Sequence, residues 1–138
     1  MKGLLVIIFL VLNLNIVLGQ HKLNFQDLKN LKDDTVKCNQ ILEACTKYLF
    51  INNDTFLLLA DLLELTADKI GYAKYRVSAL NNKSIGYKFK GEYGKALELV
   101  LKALEENEKI RDTHKKAIIL LNYADILRQQ KQHIASEE

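Results

Sequence analysis

Apolar residues recur every three or four positions in five successive segments of this chain, and this spacing is the feature that most limits how it can fold. In the segment that begins at Asp34, the apolar positions are Cys38, Ile41, Leu42, Cys45, Tyr48 and Leu49. No segment alternates apolar and polar residues in the way a half-buried strand does. The sequence therefore predicts an all-α fold.

Short polar turns separate the five segments. The predicted helices cover residues 34–50, 56–70, 72–90, 92–110 and 114–130. Asn52 and its neighbours offer side-chain acceptors to the first amides of the second helix, and Gly71 tolerates the left-handed conformation that ends it. Connections of two to five residues favour antiparallel helix hairpins, which we expect to stack on one another.

Composition and charge exclude several classes of protein. The 138 residues suit one domain of modest size, and 20 basic against 17 acidic residues give a net charge of only +3. Because nucleic-acid-binding proteins concentrate Lys and Arg on one face, we expect no nucleic-acid partner. Cys38 and Cys45 are seven residues apart, about 10 Å along a helix, which is too far for a disulfide between them. We interpret both as core residues; the alternative is a disulfide between two molecules.

The first 19 residues have the pattern of a signal peptide. Lys2 precedes the uncharged run from Leu4 to Leu18, and Val17 and Gly19 favour cleavage before Gln20. The run is about 15 residues long, whereas a membrane-spanning helix needs roughly 20. We therefore expect residues 20–138 to be exported, to the periplasm or outside the cell. Membrane attachment is expected only if this segment is not cleaved, or if the chain belongs to a longer protein.

Residues 80–97 resemble a tetratricopeptide repeat, in which helix A and helix B of each repeat pack closely. The matching residues are Tyr87, Gly91, Glu92, Tyr93, Ala96 and Ala103. The best repeat covers about 72–110, and partial repeats cover 34–70 and 113–138. The roughly 40-residue spacing and the export signal are similar to the extracytoplasmic repeat regions of certain bacterial sensor kinases and regulators. The resemblance implies a short α-solenoid over residues 20–138.

In tetratricopeptide repeat proteins, a protein or peptide partner lies in a groove lined by the A helices. Carried over to this chain, the resemblance places Asn81, Asn82, Ile85, Lys88, Phe89, Asn122, Asp125, Arg128 and Gln129 in that groove. The other interpretation of Asn82 and Asn122 is structural, with each amide hydrogen-bonded within its helix layer.

The sequence gives no sign of catalysis. His21, His114 and His133 lack metal-ligand spacing, and no phosphate-binding loop or nucleophile elbow is present. We therefore expect no catalytic residue, no cofactor and no metal. The leading hypothesis is an exported, non-catalytic protein that binds a protein or peptide partner. The alternative is the truncated sensory input region of a membrane-bound signal transducer. The alternative predicts self-association, because an uncapped end of the repeat array would expose apolar surface.

Overall fold

The computed structural model describes residues 25 to 137, and every regular element in that part of the chain is an α-helix. The helices are α1 (Phe25–Asn30), α2 (Thr35–Tyr48), α3 (Asn53–Ile70), α4 (Ala73–Phe89), α5 (Tyr93–Ile110) and α6 (Thr113–Glu137). From α2 onward, each helix packs against the next one along the chain. The predicted all-α fold is confirmed. The predicted signal peptide at residues 1–19 lies outside the described residues.

Helix directions follow from the contacts between helices. Three ion pairs join α3 to α4: Asp54 with Lys90 at 2.9 Å, Asp61 with Lys83 at 2.8 Å, and Asp68 with Arg76 at 3.5 Å. From one ion pair to the next, the residue number rises in α3 and falls in α4, so the two helices are antiparallel. In the contacts between α4 and α6, the residue numbers rise together along both helices, so α4 and α6 run in the same direction. This is the arrangement of stacked helix hairpins.

Capping residues set the helix ends where the sequence predicts them. The Asn52 side chain accepts a hydrogen bond from the Thr55 amide at 2.8 Å, and Asp34 does the same for Lys37 at 2.9 Å. Gly71 ends α3 with a φ of +67°, the left-handed conformation that a side chain disfavours. Helices α2 to α5 therefore begin and end within three residues of their predicted limits.

Two apolar clusters form the core. The N-terminal core joins α1, α2, α3 and one side of α4, and its buried members include Leu28, Cys38, Ile41, Cys45, Phe56, Leu59 and Leu63. The C-terminal core joins the other side of α4 to α5 and α6 through Val77, Leu80, Ala96, Val100, Ala103, Ile119 and Ile126. Both cysteines are buried free thiols, as the sequence predicts.

A close approach between α3 and α4 depends on Gly86. A Cβ atom at this position would collide with the Leu57 side chain. The Asn53 side chain donates a hydrogen bond to the Gly86 carbonyl oxygen at 3.0 Å, which holds the start of α3 against the same part of α4.

The structure differs from the sequence prediction at both ends. Helix α1, which the periodicity does not predict, precedes the first predicted helix and buries Leu28 in the N-terminal core. Helix α6 continues to Glu137, seven residues past its predicted end at Gln130. Residues 131–137 contain neither Gly nor Pro, so nothing in the sequence interrupts the helix there.

Candidate functional site

Helices α2, α4 and α6 lie side by side and form one continuous face, which we call the A-helix surface. The Tyr75 hydroxyl of α4 donates a hydrogen bond to Asn39 of α2 at 2.8 Å. On the other side of α4, the Lys115 ammonium of α6 donates to the Ser78 hydroxyl at 2.5 Å. Burial lowers the pKa of Lys115, although Asp112 works against this shift. These polar contacts fix the spacing of the three helices.

The predicted groove residues Asn81 and Asn122 bond to each other at the buried boundary of α4 and α6. The Asn122 amide nitrogen donates to Asn81 Oδ1 at 3.1 Å and to Ser84 Oγ at 2.7 Å. Ser84 in turn donates to the Asn81 carbonyl oxygen at 2.7 Å. Both asparagines are buried. Their amides join neighbouring helices, in line with the structural interpretation of Asn122.

Three further predicted residues form a charge cluster on the same boundary. The buried Lys88 ammonium lies 2.7 Å from the Asp125 carboxylate, which also accepts hydrogen bonds from Arg128 and Gln129. The hydrogen bond from Lys88, followed by that from Arg128, lowers the pKa of Asp125. The charges of Lys88 and Asp125 therefore largely satisfy each other within the chain.

The remaining predicted residues lie on the side of α4 that faces α2 and the turn after it. Asn82 is half-buried and hydrogen-bonds to the Cys45 thiol, and burial raises the pKa of that thiol to about 12. Ile85 is half-buried and packs on the N-terminal core. Phe89 is exposed, and its ring centroid lies 6.0 Å from that of Phe50 in an edge-on contact. Ile85 and Phe89 therefore leave an apolar strip on the surface.

Sequence reasoning missed three exposed apolar residues on this surface. Phe50 lies in the turn after α2 with 84% of its surface exposed, and Ile118 and Leu121 are exposed at 46% and 73% on α6. Ile118 and Leu121 share a helix face with Asp125 by three- and four-residue spacing. The sequence signal was weak, because α6 carries apolar residues on several sides and only the burial of Ile119 and Ile126 shows which side faces the core.

Two other features, a metal site and a membrane-spanning helix, are absent from the described residues. Within residues 25 to 137, no group of three or more His, Cys, Asp or Glu side chains has the arrangement of a metal site. No helix in this range combines the length and the apolar character needed to cross a bilayer.

Comparison with protein-family models, with curated proteins and with solved structures gives no match to this chain. The resemblance to tetratricopeptide repeats therefore stays a prediction that depends on the residues between Tyr87 and Ala103 and on the hairpin layout.

Proposed function

We propose that this chain is an exported, non-catalytic helical-repeat protein that binds a protein or peptide partner on the A-helix surface. The observation that carries the proposal is a set of four exposed apolar side chains on that surface: Phe50 and Phe89, whose ring centroids lie 6.0 Å apart, and Ile118 and Leu121 on α6. Hydrogen bonds between α4 and α6 fix the relative positions of the two helices that carry Phe89, Ile118 and Leu121. A rigid base with exposed aromatic and aliphatic groups loses little conformational entropy when it binds.

The charges of the surface indicate what kind of partner it suits. Lys88 and Asp125 are paired with each other, and Arg128 is bound to the same carboxylate. A partner that relied on these charges would have to break bonds already formed within the chain. We therefore expect recognition by apolar and aromatic side chains of the partner, with the backbone amides of a peptide bonding to polar groups beside them.

A displayed peptide library tests this proposal. The exported chain, whose N-terminus is expected at Gln20, is used to select peptides, and the affinity of each selected peptide is measured by fluorescence anisotropy. We expect selected peptides to be rich in aromatic and aliphatic residues. The double variant Phe89→Asp/Leu121→Asp should weaken their binding by tenfold or more, because each change places a charge where an apolar group of the partner would bind.

The chain offers a matched control. Leu58 and Leu65 are exposed to a similar degree as Phe89 but belong to α3, which is not part of the A-helix surface. The variant Leu58→Asp/Leu65→Asp should bind the selected peptides as the wild type does. Equal binding by the Phe89→Asp/Leu121→Asp variant would show that the surface is wrongly assigned. Failure to select any peptide would contradict the proposed function.

A further inference from the structure

Lys115 differs from the other partly buried lysines because no carboxylate is bound to its ammonium group. Among the described residues, four lysines that are buried or partly buried pair with a carboxylate at 2.6–2.9 Å: Lys37, Lys83, Lys88 and Lys116. The fifth, Lys115, is also partly buried, but its ammonium group donates to the neutral Ser78 hydroxyl at 2.5 Å. Its positive charge therefore lacks a bound counter-ion within residues 25 to 137.

The groups around the Lys115 ammonium supply little negative charge. The Asp112 carboxylate accepts a hydrogen bond from the backbone amide of Lys115 at 2.9 Å, and it forms no ion pair with the ammonium group. Burial lowers the pKa of Lys115, Asp112 opposes this shift, and the charge of Lys74 adds to it. Lys74 lies in the first turn of α4, is exposed, and has no ion pair within the described part of the chain. Two basic side chains thus share one nearby carboxylate.

Lys115 lies toward one end of the A-helix surface. Its hydrogen bond sets it level with Ser78, in the first half of α4, whereas Phe89 is the last residue of that helix and contacts Phe50. The exposed Ile118 and Leu121 follow Lys115 on α6 by one and two turns. The surface therefore has a cation toward one end, an aromatic pair at the other, and apolar groups between them.

We propose that the Lys115 ammonium binds an acidic side chain of the peptide that occupies the A-helix surface. This inference rests on the proposed function and names the charged residue of the partner. An ammonium group has three N–H donors, so a carboxylate can accept from one of them while Ser78 accepts from another. No bond within the chain has to break. Lys88 offers no such place, because the Asp125 carboxylate is already bound to it at 2.7 Å.

The geometry also indicates where the acidic residue lies in the peptide. Leu121 is six residues from Lys115, about 9 Å along α6, and Phe89 is eleven residues from Ser78, about 16 Å along α4. An extended peptide advances about 3.3 Å per residue. We therefore expect an Asp or Glu about three residues from the peptide residue that contacts Leu121, and about five residues from the one that contacts Phe89.

Parallel selections from one displayed peptide library test the inference. The exported chain is used as the wild type, as Lys115→Met and as Lys116→Met, and the selected peptides are sequenced. We expect acidic residues at the stated spacing in peptides selected by the wild type and by Lys116→Met, and their loss in peptides selected by Lys115→Met. Lys116 is the matched control, because it has the same charge one residue away and is already paired with Glu108 at 2.6 Å.

Fluorescence anisotropy then compares one acidic peptide selected by the wild type with its counterpart in which the carboxylate is replaced by the amide. The replacement should raise the Kd fivefold or more for the wild type and for Lys116→Met, but less than twofold for Lys115→Met. An equal rise in all three would overturn the inference. The comparison on the wild type needs no altered protein, so it holds even if Lys115→Met folds poorly.

The selections separate this inference from the proposed function. Peptides that are apolar and aromatic but carry no acidic residue at the stated spacing would overturn the role of Lys115 and leave the proposed function standing. The same acidic enrichment in peptides selected by Lys115→Met would also overturn it. No selected peptide from any of the three chains would contradict the proposed function, and this inference with it.

Discussion

The two ends of the helix stack meet solvent in different ways. At the N-terminal end, α1 covers the N-terminal core with Leu28, which is almost completely buried. Lys37 holds this end together, because its buried ammonium donates hydrogen bonds to the carbonyl oxygens of Lys29 and Leu31, each at 3.1 Å, and to Asp33 at 2.8 Å. At the C-terminal end, α6 closes the C-terminal core with Ile119 and Ile126 but leaves Leu120, Leu127 and Ile134 exposed.

The difference shows two ways in which an end of the described helix stack can meet solvent. Every terminal hairpin has one face without a neighbour, and that face must be covered or left in contact with water. A six-residue helix is too short to be stable alone, so α1 depends on Lys37 and on burial of Leu28. Within residues 25 to 137, contacts within the chain therefore cover the N-terminal end, while Leu120, Leu127 and Ile134 of α6 stay exposed.

The largest effect should come from Ala103→Arg in the C-terminal core. Ala103 is fully buried, so a long charged side chain there overpacks the core and buries an unpaired charge, at a cost of about 3 kcal/mol or more. We expect α5 and α6 to lose their packing while the N-terminal core persists. Circular dichroism measures the lost helix, and thiol labelling of Cys38 and Cys45 reports the N-terminal core alone, since both cysteines are buried there.

Leu101→Arg is the control for this change, because Leu101 lies on the same helix and is about half exposed. It should leave helicity and melting nearly unchanged. If Ala103→Arg makes both thiols react as fast as in the unfolded chain, the two cores unfold together and the ends are not independent. Unchanged helicity and melting in Ala103→Arg would mean that α5 is placed wrongly.

A smaller effect is expected from Lys37→Met at the N-terminal end. Methionine fills a similar volume but leaves two carbonyl oxygens without their ammonium partner and removes one of the two ammonium groups at Asp33, which should cost about 2 kcal/mol in the free energy of unfolding. Lys69 contacts the same carboxylate at 3.0 Å but is 53% exposed, so Lys69→Met should cost about 0.5 kcal/mol or less. Urea unfolding measures both values. Equal losses from the two variants would contradict the role assigned to Lys37.

The smallest effect is the loss of stability that protonation of Asp125 causes at acid pH. Lys88 and Arg128 lower the pKa of Asp125 below its usual value of 3.8, so the folded chain binds a proton there less readily than the unfolded chain. The stabilisation is therefore complete above about pH 4 and is lost as the pH falls through the folded pKa. Asp125→Asn should lower the Tm at pH 7, and its difference from the wild type should shrink as the pH falls below about 4. A Tm difference that stays constant with pH would contradict this assignment.

Much of the fold could be predicted from the sequence, because local signals determine it. Apolar spacing identifies α2 to α5, and Asn52 and Gly71 mark the ends on either side of α3. The burial of Cys38 and Cys45 also follows from spacing alone. Helix α1 could not be predicted in this way, since six residues are too few to show a period and its stability comes from contacts with α2 and α3.

The candidate site was less predictable, because side-chain contacts between two helices cannot be inferred from the residue spacing within one helix. The resemblance selected Lys88, Asp125 and Arg128 as groove residues, but their bonds to one another depend on α4 and α6 lying side by side. The exposed positions Ile118 and Leu121 required knowledge of which side of α6 faces the core.

The ion pairs between α3 and α4, together with Gly86, determine how the two helices are aligned along their axes. Asp54, Asp61 and Asp68 are spaced by seven residues, and so are their partners on α4, so sliding one helix by seven residues would keep two of the three pairs. Exposed pairs of this kind add little stability, so they alone leave such misaligned states close in energy. Leu57 removes that ambiguity, because only in the observed alignment does it meet a residue without a side chain, Gly86. The ion pairs would permit more than one alignment of α3 with α4, and Gly86 favours the observed one.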